Sequence, residues 1–312
     1  MKIASTTADF ESYVEKRSDV CEILPMMAAS GFKHIDLNMY RAHADGSPLR
    51  EDCWEKWVYD IADTAARLGL DFVQAHSSDS VYDEGEKKDY LTSLIKRELE
   101  VCRMLGIPTM TVHGISKKDG ERGEFMERNK KFYLDLLETA EKTGVIVDTE
   151  NTCHKNAPTY FLFEADDMNE LVEKVNHPLF GVCWDVGHAH VDGIDQYKAI
   201  MKLGKNLKAV HIHDNFGPHY FGADTHSAPY SGSISYDSIV KGLVDVGYKG
   251  YFTLEAYSIP MPKSFLGRDP LMLDGVVYDR LTDLPLEFKI RSENLMLDIT
   301  RYMLASYDCL EN

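Results

Sequence analysis

The sequence predicts a closed (β/α)8 barrel, and three observations carry that expectation. Short β-branched runs alternate with helical stretches eight times. The runs are apolar on both faces, which belongs to a parallel sheet covered by helices. Segment 8–14, after the first run, contains no glycine, so the phosphate-binding turn of an open nucleotide-binding sheet is missing. Eight strand–helix units then favour closure into a barrel.

The strands are expected at Ile3–Thr7, His34–Met39, Phe72–Ser77, Thr109–Gly114, Val145–Asn151, Phe180–Gly187, Leu207–Asn215 and Tyr251–Tyr257. Between them apolar residues recur at helical spacing. Trp54, Trp57, Val58, Ile61, Ala65 and Leu68 form one such face, and Leu91, Leu94, Ile95, Leu99, Cys102 and Leu105 another. Glycines stand where several helices must turn into the next strand, as at Gly69 and Gly144. The last helix is expected near Leu286–Tyr307, and the Pro-containing stretch Ser258–Pro285 before it reads as a long loop. No low-complexity linker or shift in composition divides the chain, so residues 1–312 are read as one domain.

The 312 residues include 34 Lys plus Arg against 51 Asp plus Glu, a formal charge of −17. Such a surface repels phosphate backbones, and neither nucleic acid nor an anionic membrane is expected as a partner. The opening MKIASTTADF lacks the apolar run of a signal peptide, and no stretch approaches a membrane helix. Six scattered cysteines without a C-x-x-C pair suit reduced thiols. A soluble, cytoplasmic protein is the expectation.

In a barrel of this kind chemistry collects at the C-terminal ends of the strands. The third strand ends Gln74-Ala75-His76 and the fourth Thr111-Val112-His113. The fifth ends Asp148-Thr149-Glu150-Asn151, and the sixth Cys183-Trp184-Asp185-Val186-Gly187-His188. The seventh supplies His211-Ile212-His213-Asp214, and the eighth Thr253-Leu254-Glu255. Apolar strands rarely carry such groups unpaired. Glu150, Asp185, His211 and Glu255 come from four neighbouring strands. One imidazole and three carboxylates make an N/O site for one divalent ion: Mn²⁺ by preference, with Mg²⁺, Co²⁺ or Zn²⁺ also compatible.

Together with Asp185-x-x-His188, the run His211-Ile212-His213-Asp214-Asn215 and Asp224-x-His226, these strand ends resemble the xylose isomerase-like barrels. That group holds sugar and sugar-phosphate isomerases and epimerases together with endonuclease IV-type AP endonucleases. The resemblance implies that Glu150, Asp185, His211 and Glu255 bind one catalytic metal, and that His188 contacts substrate oxygens. His76, His113, His213, Asp224 and His226 are further candidates for substrate contact, with His213 also placed to support a metal ligand.

The implied reaction is proton transfer through an enediolate, with Glu150 and Glu255 as acid and base on a ketose or related hydroxy-ketone. The same pair serves epimerisation and aldose–ketose isomerisation. A dehydratase acting on a carbocyclic hydroxy-ketone is a neighbouring possibility, and a sugar-binding barrel without turnover is another class. The alternative reaction is phosphodiester cleavage. His76, His113, Glu150, Asp185, His188, His211, Asp224, His226 and Glu255 also match the nine ligands that hold three zinc ions in the endonuclease IV-type enzymes. The charge of −17 and the lack of any Lys or Arg in segment 214–240 lean against DNA. The same lack points to an unphosphorylated sugar. The resemblance also makes a homo-oligomer an expectation.

Overall fold

In a computed structural model, the structure describes residues 1–78, 85–117, 119–154, 157–219, 224–256, 271–273, 276–278 and 285–311. Eight parallel strands close a barrel in sequence order: β1 (Ile3–Thr6), β2 (His34–Asn38), β3 (Asp71–His76), β4 (Thr109–Thr111), β5 (Ile146–Glu150), β6 (Phe180–Asp185), β7 (Leu207–Ile212) and β8 (Phe252–Leu254), with β8 pairing back to β1. The outer layer consists of α1 (Val20–Ala29), α2 (Trp54–Leu68), α3 (Gly85–Leu105), α4 (Arg122–Thr143), α5 (Ala165–Val175), α6 (Val186–Val191), α7 (Gln196–Leu203), α8 (Tyr236–Asp245) and α9 (Leu286–Ser306).

The two periodicities of the sequence explain the layers. The strands are buried on both faces, as the all-buried β6 shows. In α2, Val58, Ile61 and Ala65 enter the core and Trp54 and Trp57 pack partly against it, whereas Leu68, expected on the same face, is exposed in the last turn. Gly69 and Gly144 take left-handed backbone conformations at φ 66° and 76°, which end α2 and α4 and turn the chain toward the next strand.

The strands end sooner than the apolar runs do. β4 stops at Thr111, after which Gly114 N–H donates to Tyr160 Oη at 2.7 Å and Ile115 N–H to Asn129 Oδ1 at 2.7 Å. β6 stops at Asp185 because that residue caps α6, its carboxylate accepting from His188 N–H at 2.6 Å. Residues expected in extended chain, Val186 and Gly187, are therefore helical. β8 is likewise shorter than expected, and Tyr257 lies outside the described residues.

The loop expected over 258–285 needs a correction. Its described part contains an antiparallel pair, β9 (Leu271–Leu273) with β10 (Val276–Tyr278). Apolar runs of three residues are too short for period-2 alternation to register. Lys263 and Arg268, the cations that the sequence offers after the eighth strand, lie outside the described residues. Among the described residues no helix is long and apolar enough to cross a membrane, and all six cysteines are free thiols.

Candidate active site

Parallel register brings the strand ends to one level. Asp185 pairs with His211, and His211 with Thr253. Glu150 is the last residue of β5, and Glu255 follows β8 with its N–H donating to Ile212 O at 3.0 Å. One ligand atom from each of Glu150, Asp185, His211 and Glu255 lies within 4.8 Å of all the others. His211 Nδ1 is 2.8 Å from Glu150 Oε1 and 3.2 Å from Glu255 Oε2.

Gln74 holds the other side of the His211 ring, with its Nε2 2.8 Å from His211 Nε2. Its Oε1 accepts from Thr253 Oγ1 at 3.1 Å. That carboxamide suits either tautomer. Turned over, its oxygen accepts from Nε2–H and leaves the Nδ1 lone pair for a metal.

Asp185 is clamped through its backbone by Asn151, whose Oδ1 accepts from Asp185 N–H at 2.7 Å and whose Nδ2 donates to Asp185 O at 2.9 Å. His213 Nε2 lies 3.0 Å from Asp185 Oδ1. The His213 ring fits there because residue 187 is glycine: a Cβ at that position would fall 1.8 Å from His213 Cε1.

Two histidines and a further group extend the site. His76 and His113 place Nε2 3.4 and 3.3 Å from Glu150 Oε2, a buried oxygen with no hydrogen-bond partner. Asp224 Oδ2 stands 3.1 Å from both His188 Nε2 and His226 Nε2. His188, His213, Asp224 and His226 form a second group with ligand atoms within 4.8 Å. Asp214 organises the loop that carries Asp224 and His226, accepting from Gly232 N–H at 3.0 Å and pairing its backbone with Ser227.

All nine residues of the longer ligand set, and His213, thus converge. Exposure separates them. Glu150, Asp185, His211 and His213 are fully buried, whereas the side chains of His113, His188, His226, Asp224 and Glu255 keep 11–19% of their surface open to a ligand. Trp184 and Phe10, aromatic residues near strand ends, are completely buried in the core and offer no face to a sugar. Tyr40 is half-buried, its ring 5.7 Å from that of His76.

The electrostatics follow from carboxylates and imidazoles packed at short range in a mostly buried group. Burial opposes ionisation of Glu150, but the His211 charge and hydrogen bond, with His76, outweigh it and hold the carboxyl well below the usual range. Asp185 is lowered in the same way, burial being outweighed by His188 and His213. Burial opposes protonation of His76, and Glu150 more than offsets it, lifting the imidazole to about 9. His113 has no such net gain, and burial pushes it down to about 4. The two rings face the same carboxylate oxygen, so a proton on His76 disfavours one on His113.

The residues fit a divalent cation. Three carboxylates lie within one 4.8 Å group, and buried Glu150 Oε2 has only the longer His76 and His113 contacts at 3.4 and 3.3 Å, leaving it able to accept a closer cation. A hard or borderline metal satisfies that set through oxygen and nitrogen donors.

Comparison with known proteins agrees with this architecture. The sequence matches the xylose isomerase-like TIM barrel family over residues 24–271. The chain belongs to that family. Within it, an uncharacterized protein, y4fM, of Sinorhizobium fredii is 23% identical over 256 residues, covering 72% of this chain and 77% of that protein. A probable endonuclease 4 of Citrifermentans bemidjiense is 28% identical over 145 residues, covering 42% of this chain and 50% of the relative. The chain therefore spans only half the length of that relative.

Among solved structures, D-psicose 3-epimerase with D-tagatose from Clostridium cellulolyticum H10 superposes with a TM-score of 0.72 at 16% identity, over 97% of this chain and 99% of that one. 3-Keto-D-glucoside 4-epimerase of E. coli gives 0.68 at 14% identity, over 95% and 98%. The IOLI protein with a binding zinc atom gives 0.73 at 17%, over 98% and 99%. At these identities the likeness shows the xylose isomerase-like barrel itself.

Several working residues of this xylose isomerase-like site were not singled out by sequence reasoning. Gln74 stands at a recognised strand end, but only the barrel interior shows that it orients His211. Glu98 lies in α3 and is fully buried, with Ser77 Oγ donating to its Oε2 at 2.6 Å and Ser78 N–H at 3.1 Å. It fixes the turn that follows His76, whose Nδ1 is 2.9 Å from Ser77 O. The helical spacing of α3 does offer a signal, since Glu98 stands on the face of Leu94, Ile95 and Cys102.

Proposed function

We propose that the protein is a metal-dependent sugar isomerase or epimerase acting on a ketose or related hydroxy-ketone. The observation that carries this reading is the buried group Glu150, Asp185, His211 and Glu255, gathered from four adjacent strands within 4.8 Å. Structural neighbours whose own substrates are D-psicose and 3-keto-D-glucosides support the same chemistry.

A divalent ion held by those four residues would supply Lewis acidity that lowers the pKa of a carbon acid beside a ketone. Glu150, held ionised, is the group to accept the proton, and Glu255, which reaches the site from β8, is the group to return it. The positions of the two carboxylates on different strands suit attack on two sides of a planar intermediate. His188, His113 and His226 present partly open imidazoles to sugar hydroxyls. Asp224 orients His188 and His226 through one oxygen. His213 braces Asp185 from a position closed to solvent.

A second reading is favoured by one observation: the two groups flanking Glu150 complete the nine-residue set of the three-zinc phosphodiesterases, and endonuclease 4 proteins are among the relatives. The charge of −17 and the cation-free segment 214–240 weigh against a DNA substrate. The direct test is to load the protein with Mn²⁺ and incubate it with a panel of ketoses in D₂O, reading carbon-bound deuterium and new epimers by NMR. Uptake of deuterium at a carbon next to the carbonyl is the expected result. Cleavage of abasic DNA in place of any exchange would install the second reading.

A further inference from the structure

Beside the strand ends of β1 and β2 lies a cleft of about 440 Å³ that the proton-transfer chemistry does not use. Its floor is apolar, formed by Val20, Met39, Leu49 and Trp57. Its rim carries Lys16, Arg17 and Arg41, three cations in a chain with net charge −17.

The cleft's anions leave Lys16 and Arg41 uncancelled, while Glu11 faces Arg17. Asp45 is taken up by an ion pair with Arg50, which lies outside the cleft. Glu11 is held by Asn38, whose Nδ2 donates to its Oε1 at 2.6 Å, and has Arg17 Nη1 3.5 Å from its Oε2. Burial pushes the Glu11 carboxyl up to about 7, with Arg17, Asn38 and Arg41 only partly opposing it. Among the described residues no carboxylate stands within ion-pair distance of the Lys16 or Arg41 side chains.

Through β2 the cleft neighbours the metal-ligand group. Asn38 pairs in register with His76. The Tyr40 ring lies 5.7 Å from the His76 ring, and the Arg41 guanidinium 5.6 Å from the centre of the Tyr40 ring. A sugar seated at the strand ends thus meets first an aromatic face, then a guanidinium.

We propose that this cleft receives an anionic end group of the substrate, a carboxylate or phosphate, bound by Arg41 and Arg17 with Lys16 beside them. The inference rests on the sugar-enzyme reading above and names the class of sugar it takes; in admitting a phosphate it departs from the unphosphorylated sugar expected from segment 214–240, because the cations stand after β1 and β2 instead. Planar guanidinium groups bind such oxyanions through paired N–H donors, and the apolar floor limits competing water. The metal-ligand group comes from β5 to β8 and the cations stand on the side of β1 and β2, which orients the substrate: reacting carbonyl over Glu150 and Glu255, charged end over β1 and β2.

The test compares D-fructose, D-fructuronate and D-fructose 6-phosphate on the Mn²⁺-loaded protein, by calorimetric binding and by deuterium exchange. The double variant Arg17→Gln/Arg41→Gln is measured alongside. Both side chains are exposed, so the barrel stays folded. The wild type is expected to bind at least one anion about tenfold tighter than fructose, roughly 1.4 kcal/mol. The double variant is expected to lose that preference while handling fructose as before.

Preference for fructuronate alone identifies a carboxylate, and for the 6-phosphate alone a phosphate. Equal affinity for all three sugars, or a preference that survives in the variant, overturns the proposal. Anion preference without exchange on any of the three would sink the isomerase reading and leave the cleft's role standing. Exchange on fructose without anion preference would do the reverse.

Discussion

Replacing Glu98 by Gln offers a test of how the barrel holds His76. Glu98 is fully buried, and burial lifts its carboxyl from 4.5 to about 7 despite hydrogen bonds from Ser77 and Ser78. A carboxyl whose folded pKa is raised carries no penalty below its unfolded pKa, since both states are protonated there. The penalty grows between 4.5 and 7 and is complete above the folded value. Two and a half pKa units correspond to about 3 kcal/mol at pH 8, against about 1 kcal/mol at pH 5. Gln has the same shape and no charge to bury, so the stability difference between Glu98→Gln and wild type should shift in favour of the variant by about 2 kcal/mol from pH 5 to pH 8. Urea denaturation of chelator-treated protein at four pH values measures it, and comparison with wild type cancels the other titrating groups. A difference that stays flat across the range would refute the reasoning. It would mean that the three donors on Glu98 keep it ionised in spite of burial, the opposite ranking of the two effects.

Three further outcomes follow from the site. Glu150→Gln and Glu255→Gln should each lower turnover at least 100-fold, the typical worth of a positioned acid or base, while circular dichroism shows an intact barrel. Near-normal activity in either would disprove the two-carboxylate mechanism. Gly187→Ala forces a methyl into the His213 ring, which stacks on His226 at 3.8 Å and has nowhere to go. It should cost roughly 1–3 kcal/mol in thermal unfolding and weaken metal retention; an unchanged melting temperature would show the ring to be movable. In the metal-free protein burial is outweighed by Glu150 and Glu255 at His76, raised to about 9, and by Cys183 with the same carboxylates at His211, raised well above its ordinary value. Both shifts favour the protonated imidazole, so a cation should displace protons, and Mn²⁺ affinity should rise with pH toward 9. Calorimetry in buffers of different ionisation enthalpy reads the released protons, and zero release would contradict the assignment of His211 as a ligand.

The barrel and the strand-end groups were legible in the sequence because two simple regularities carry them. Alternation of buried runs with helical stretches gives the fold, and a parallel barrel puts every strand's C-terminal residue on one face. Glu150, Asp185, His211 and Glu255 meet for that reason alone. What the sequence hid depends on contacts across the interior. Glu98 looks like one more polar residue of a long charged helix until Ser77 and Ser78 are placed against it. That His213 could support a metal ligand is readable from its alternation with His211, but the space at Gly187 that lets its ring turn against Asp185 is not. The end of β6 at Asp185 is likewise a capping event, and strand propensity at Val186 carries no sign of it. The cationic cleft joins residues from two loops with no periodicity to reveal them.

The central claim is that one metal ion sits among Glu150, Asp185, His211 and Glu255 and serves proton transfer on a sugar. Elemental analysis of protein purified without chelators, then reloaded with Mn²⁺, tests it most directly. The account predicts about one tightly held divalent ion per chain, lost in a Glu150→Gln/Glu255→Gln variant. Three zinc ions per chain, or none after loading, would contradict it.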